Sequence, residues 1–245
     1  MAVLVVSNQK GGVGKTTTVV NLAWYFACAG RSTLTIDNDP QGNATSALAP
    51  DLEGGTVYDG QAPMATPVAN LAVIPGGSGL LHHERGLAQR PAGSTRLREL
   101  LRPLTDQYDP ILIDCPPSLS LLPSNALLAA SHLLIPLQCE YYAMEGLGQL
   151  LAYVEDLRQT SGLDLRWTGI LLTMADPRHP TAEQFERDVR AHFGAQVLRT
   201  VIPRDPTLAL APSHGAAAAA VAPLSPGALA YLAATKEILD VLAAQ

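Results

Sequence analysis

The sequence predicts an α/β fold: one doubly wound, mostly parallel sheet with helices on both faces. Three observations carry that expectation. Short apolar runs that read as buried strands alternate with helical patterns from end to end. The first run feeds a glycine-rich loop and then a helix. Acids and turn residues stand where later runs end, at the sheet edge where open α/β folds hold ligands. Right-handed crossovers between such strands give a parallel sheet.

Taken in order, Val3-Leu4-Val5-Val6 is the first strand, and Lys10-Gly11-Gly12-Val13-Gly14-Lys15-Thr16 lies in the loop after it. Val19, Val20, Leu22, Ala23, Phe26 and Ala27 then make an apolar helical face that Gly30 closes. Residues 32–36 form a second strand, running into Asp37-Asn38-Asp39-Pro40-Gln41-Gly42-Asn43. Proline and glycine force a loop there. Residues 50–70 are rich in glycine, proline and small side chains and read as irregular. A strand is expected over 71–75, a flexible turn over 76–79 and an amphipathic helix over 95–104, with Leu97, Leu100, Leu101 and Leu104 on one side. Residues 111–114 form a strand ending in Asp114, and Cys115-Pro116-Pro117 cannot continue it. Helices over 121–130, 145–160 and 181–193 alternate with strands over 133–137, 168–173 and 197–202. Leu229, Leu232, Ile238, Leu239 and Leu242 give the closing helix its apolar stripe. No internal repeat occurs, and Ala216 to Ala220 is the one low-complexity stretch.

The chain of 245 residues is read as a single domain, 1–245, with 47% hydrophobic residues to fill its core. No apolar run approaches the ~18 residues of a membrane span. The opening residues lack a basic region followed by an apolar segment, so a cytoplasmic protein is expected. Cys28, Cys115 and Cys139 are scattered and form no metal-ligand spacing. A formal net charge of −6 argues against a strongly basic nucleic-acid module, though not against a local basic patch. Only three lysines occur, and Lys10 and Lys15 both lie in the opening loop.

That loop is where the chemistry concentrates. Successive backbone N–H groups in such a loop point into one concavity, and the helix that follows adds its positive end. Lys15 would reach the β- and γ-phosphates of a nucleotide, and the Thr16 hydroxyl would ligate Mg²⁺. The eight-residue Walker pattern wants glycine six positions before Lys15, where Gln9 stands instead. A second lysine, Lys10, precedes the glycines. Asp37, Asp39 and Asp114 sit at or just beyond strand ends, suited to hold Mg²⁺ or its water ligands. Strand-ending Asp residues also cap turns, and Asp39-Pro40 is a good turn starter.

Lys10-Gly11-Gly12-Val13-Gly14-Lys15-Thr16-Thr17-Thr18 resembles the deviant Walker A loop of the ParA/Soj partition ATPases. Asp37 to Asn43, Ile113-Asp114-Cys115-Pro116-Pro117, Gln138-Cys139-Glu140-Tyr141 and Ala211-Pro212-Ser213-His214-Gly215 resemble further blocks of that family, in family order. The loop alone would indicate only the wider P-loop NTPase group that includes MinD and the nitrogenase iron protein. The resemblance implies an ATP- and Mg²⁺-dependent homodimer in which Lys10 crosses to the partner subunit's phosphates. It implies that Gly11, Gly12, Val13, Gly14, Lys15, Thr16 and Thr17 bind the nucleotide, with Lys15 acting in cis. Thr16, Asp37 and Asp114 match the residues around magnesium, and Asp39 matches the one that positions or activates the attacking water. The adenine is expected near Met174, Asp176, Pro203, Arg204 and Asp205. A ParB-type partner, nonspecific binding of double-stranded DNA and a nucleoid-associated location follow from the same resemblance.

The chain departs from the family pattern near its end. Asp205 stands where the family commonly has Asn, and Ala216 to Ala220 replace a basic segment among those the family uses on DNA. Arg166, Arg178, Arg187, Arg190 and Arg199 remain as DNA-binding candidates, and a solvated helix face accounts for them equally. Competing readings are a protein-cargo switch without DNA and a MinD-like ATPase on a membrane surface. The second needs a basic amphipathic tail, which Tyr231 to Gln245 is not. A nitrogenase-like reductase does not suit the cysteine positions.

Overall fold

The computed structural model describes residues 2–90, 93–140, 143–176, 178 and 180–244. Strands and helices alternate as expected: β1 (Val3–Val6), α1 (Lys15–Cys28), β2 (Thr33–Asp37), α2 (Asn43–Leu48), β3 (Met64–Ala65), β4 (Leu71–Ile74), α3 (Gly79–Ala88) and α4 (Arg96–Leu101). The second half contains β5 (Ile111–Asp114), α5 (Leu121–Ala129), β6 (His132–Gln138), α6 (Ala143–Ser161), β7 (Arg166–Ala175), α7 (Pro180–Phe193), β8 (Val197–Pro203), α8 (Pro206–Leu210), α9 (Ala218–Val221) and α10 (Pro226–Ala244).

The eight strands lie in the order β3-β4-β2-β5-β1-β6-β7-β8. Every pairing is parallel except the short β3 against β4. From β1 the chain moves outward to β2, returns through β5, and crosses to the other side at β6. The sheet is therefore doubly wound about β1, and its switch point opens beside the loop after that strand.

Burial on both faces explains why the strands are continuous apolar runs. Val3 and Val5 point into a core shared with α4, α5, α6 and α7, through side chains such as Leu97, Leu127, Leu150 and Val189. Leu4 and Val6 point the other way, against α1, α2 and α10, where Phe26, Leu48 and Tyr231 pack. The period-two alternation of one short strand thus reaches both layers.

Four helices and a strand lie where the sequence suggests none. α2 and α9 are short and built mainly of small residues, and α3 follows the 76–79 turn with only Leu80 and Leu87 buried. β3 has two residues and α8 five. Such segments carry too little periodic apolar signal to read locally. Tyr141, the last residue of the Gln138 block, lies outside the described residues.

Phe26 is fully buried between the sheet and α10. Phe26→Ala should cost about 3–5 kcal/mol of stability, read as a lower urea midpoint with an unchanged slope.

Candidate functional site

Parallel register sets the acids side by side. Asp37 pairs with Asp114 across β2 and β5, and Val6 pairs with Asp114 across β1 and β5. The last residue of β1 therefore delivers the loop to an edge that already carries two buried carboxylates.

The loop between β1 and α1 curls because Gly12 and Gly14 hold φ of 74° and 90°, conformations open chiefly to glycine. Its base is pinned from β6: Asn8 donates to the Pro136 carbonyl at 2.8 Å and accepts from the Lys10 N–H at 3.0 Å. Its far side is pinned from β7, where the Thr173 hydroxyl donates to the Val13 carbonyl at 2.9 Å. The two lysines then part. Lys15 is 6% exposed and folds inward, its Nζ donating to the Lys10 carbonyl at 2.9 Å. The Lys10 ammonium lies at the rim, 3.3 Å from Glu140 Oε2. Glu140 is held in turn by the Gln138 amide.

Thr16 opens α1 and donates to Asp114 Oδ2 at 2.7 Å. Asp114 Oδ1 is buried and accepts from no described residue. Burial, reinforced by the Asp37 charge, pushes the Asp114 carboxyl well above its usual range. Burial also raises Asp37, against the hydrogen bonds it receives from Thr45 and Asp39. Lys15 is lowered by burial, against the attraction of Asp114. Asp114 and Asp39 act on one buried ammonium and Asp37 adds a third carboxyl beside Asp114, a group of acids short of positive charge. An orphaned buried carboxylate oxygen beside a threonine hydroxyl fits a hard divalent cation such as Mg²⁺.

Asp37 is engaged differently from the expectation that it surrounds magnesium with Asp114. Its Oδ2 accepts from the Thr45 N–H at 2.8 Å and the Thr45 hydroxyl at 2.7 Å, and its Oδ1 accepts from the Asp39 N–H at 3.2 Å. Protein donors occupy both oxygens, so in this arrangement Asp37 braces the loop that carries Asp39. Asp39 Oδ1 accepts from the Gln41 N–H at 2.9 Å, while its backbone carbonyl accepts from Gly42 and Gly77.

A cavity of about 180 Å³ adjoins the loop. Gly14, Thr17, Thr173, Met174, Pro203, Arg204, Asp205, Leu208 and Tyr231 line it. Met174 stands at the end of β7 with φ 55°, a left-handed conformation uncommon outside glycine. Asp205 caps α8 through the Thr207 N–H and also accepts from the Gly227 N–H at 2.7 Å. Burial opposes its ionisation, but these backbone donors hold its carboxyl below the usual range. Asp176 does not join this group. It lines a neighbouring cavity with Glu183 and Glu186, and its carboxylate is clasped by Arg178 through two hydrogen bonds of 2.8 and 2.6 Å. Leu208, Thr173 and Tyr231 carried no site signal in the sequence; folding alone brings them to the loop.

The five arginine candidates are not one cluster, although Arg190 donates to the Arg199 carbonyl at 3.2 Å. Arg166 begins β7 and Arg178 lies past its end, about 30 Å away along the strand. Arg187 bonds Gln184, Arg190 bonds Glu186 and the Leu198 carbonyl, and Arg199 pairs with Glu237 at 3.4 Å.

A phosphate loop between a central parallel strand and its helix, facing paired acids, defines the class: a P-loop ATPase that works with ATP and Mg²⁺. An AAA domain family matches residues 1–167. The chain is 46% identical to the chromosome-partitioning ATPase Soj of Thermus thermophilus, over 96% of this chain and 94% of that one. It is 44% identical to the chromosome partitioning protein ParA of Myxococcus xanthus, over 97% and 87%. Among solved structures, cobyrinic acid a,c-diamide synthase from Mycobacterium smegmatis with bound ADP and magnesium is similar at TM-score 0.83 and 33% identity, covering 98% of this chain and 94% of that one. The chain belongs to the ParA/Soj family of chromosome-partitioning ATPases.

The raised carboxyl of Asp114 has a thermal consequence. A folded-state pKa above the unfolded value of 3.8 makes a contribution to stability that is present below 3.8 and lost as pH rises through the folded value. Above that range the metal-free protein therefore lacks this contribution and carries the cost of the buried acid. Asp114→Asn should raise the metal-free melting temperature more at pH 8 than at pH 4, while weakening Mg²⁺-dependent nucleotide binding. Calorimetry at the two pH values checks the first effect and nucleotide titration with and without Mg²⁺ the second.

Proposed function

We propose that residues 1–245 work as one ATPase unit whose ATP form is a homodimer, binds double-stranded DNA nonspecifically and is discharged by a ParB-type protein, so moving a chromosome or plasmid. The observation that carries this reading is the division between the two lysines of the loop. Lys15 is committed to the interior of its own subunit. Lys10 is a third exposed on its side chain and, among the described residues, its ammonium is held by a part-exposed pair with Glu140. Such pairs are worth roughly 0–1 kcal/mol, so phosphates arriving from a second subunit can draw Lys10 away.

The roles follow from position. Gly11 to Gly14 offer backbone N–H groups to the phosphates, with Thr17 and the cavity at Met174, Pro203, Arg204 and Asp205 receiving the rest of the nucleotide. Thr16 and Asp114 hold Mg²⁺, which when bound supplies charge neutralisation at the phosphates. Asp39 holds the attacking water. Lys15 in cis and Lys10 in trans oppose the charge that develops as the phosphoryl group departs. Loss of the γ-phosphate removes the tie to Lys10, so hydrolysis times the dimer. A cytoplasmic, nucleoid-associated location belongs to the same reading. No helix among the described residues is long and apolar enough to cross a membrane. The charges of α10 are Lys236, Glu237 and Asp240, which do not make a basic membrane-binding face.

One observation favours a second reading, an ATP switch acting on a protein cargo without DNA. Residues 206–235 contain no Asp, Glu, Lys or Arg, and Leu210 and Leu224 on this stretch are 58% and 82% exposed. Such a surface offers phosphates no fixed positive charge.

Light scattering tests the dimer. Lys10→Ala should stay monomeric with ATP, whereas Asp39→Ala should dimerise and fail to turn over; an ATP dimer of Lys10→Ala overturns the in-trans role. Mobility shift of DNA with ATP, ADP and no nucleotide over a salt series separates the two readings. ATP-dependent, salt-sensitive binding supports the first. Its absence, with the ATP dimer intact, favours the second.

A further inference from the structure

Thr45 has no role in the reading above, yet its hydroxyl sits at the crossing of three segments. It donates to Asp37 Oδ2 at 2.7 Å and accepts from the Gly76 N–H at 3.0 Å. Its own N–H donates to the same carboxylate oxygen at 2.8 Å. Thr45 is 8% exposed and Asp37 is fully buried, so water cannot replace these partners.

Both of the bonds that the hydroxyl makes lead to Asp39. Asp37, held by Thr45 through one oxygen, holds the Asp39 N–H through the other at 3.2 Å. Gly76, held by the same hydroxyl, precedes Gly77, whose N–H donates to the Asp39 carbonyl at 3.2 Å. The peptide groups on either side of Asp39 are thereby braced from one hydroxyl. Space enforces the arrangement. A Cβ at position 76 would lie 2.5 Å from Asp37 Oδ1 and 2.7 Å from its backbone carbonyl, so only glycine lets the turn close on the acid.

We propose that Thr45 is a positioning residue for ATP hydrolysis, fixing Asp39 through Asp37 on one side and the Gly76-Gly77 turn on the other. This rests on Asp39 holding the attacking water. Neither Thr45 nor Gly76 lines the nucleotide cavity. Among the described residues, no hydrogen bond joins either of them to residues 10–18, so the effect falls on turnover and spares ATP binding. A misplaced group at the reacting centre costs far more rate than affinity.

The test is a series at position 45 measured against Asp39→Ala. Thr45→Val keeps the shape and removes the hydroxyl, while Thr45→Ser keeps the hydroxyl. Thr45→Val should lower kcat about 10- to 100-fold with KM and the Kd for a fluorescent ATP analogue within about twofold of wild type. Thr45→Ser should restore kcat to within about threefold. Should Thr45→Val not fold by circular dichroism, Thr45→Ala removes the same hydroxyl with less bulk and should show the same kcat-selective loss. Turnover of Thr45→Val within twofold of wild type, or equal losses in kcat and nucleotide affinity, or a Thr45→Ser protein as impaired as Thr45→Val, overturns the proposal. If Asp39→Ala itself turns over normally, the role of Asp39 fails and this proposal with it. If Asp39→Ala is inactive and Thr45→Val is not, only the brace fails.

Discussion

Three neighbouring acids share the carboxyl edge of the sheet with one buried ammonium, and the rest of the site depends on that imbalance. Asp37 and Asp114 are brought together by parallel register between β2 and β5, which no local change can relax without moving a strand. Lys15 answers part of the charge, and the Thr16 hydroxyl and the Thr45 donors spread some of the remainder. What is left is a buried oxygen of Asp114 with no donor among the described residues, next to the glycine-rich loop. Folding has stored an unfavourable term there that a divalent cation relieves. Stability is exchanged for ligand affinity at the point where the chemistry occurs.

Around this centre the bonding falls into an inner and an outer set. The inner set is buried and rigid: Asn8 to Pro136, Thr173 to Val13, Thr45 to Asp37. It holds the phosphate loop and the Asp39 loop to neighbouring strands. The outer set is part-exposed and weak, and the Lys10–Glu140 pair belongs to it. Lys15 and Lys10, five residues apart in one loop, fall on opposite sides of that division: one is buried and held from within the loop, the other sits at the rim in a part-exposed pair.

The surface beyond the cleft differs in kind from the edge. A thirty-residue stretch, 206–235, is free of Asp, Glu, Lys and Arg, while the candidate arginines elsewhere are mostly bonded to neighbouring carboxylates, amides or carbonyls. Positive charge spent on internal pairing is less available to a polyanion. This stretch also lines the cavity beside the phosphate loop, through Leu208 and Tyr231.

Much of this was legible residue by residue. The order of strand, glycine loop and helix around Lys15, the acids closing the second and fifth strands, and the alternating apolar runs all rest on local pattern and period, and those properties determined the doubly wound sheet and the phosphate loop. Segments such as Asn43–Leu48 and Gly79–Ala88 escaped because small residues and sparse apolar positions leave no periodic face. Tertiary structure alone decided that Thr45 holds Asp37, which in turn accepts from the Asp39 N–H, that Asp176 turns away to Arg178, and that Tyr231, more than two hundred residues downstream, reaches the loop's helix to bond Thr18. The physical reason is the same in each case. A residue's type and neighbours set which bonds it can make, but which partner stands within 3 Å is set by strand register and helix packing across long stretches of chain.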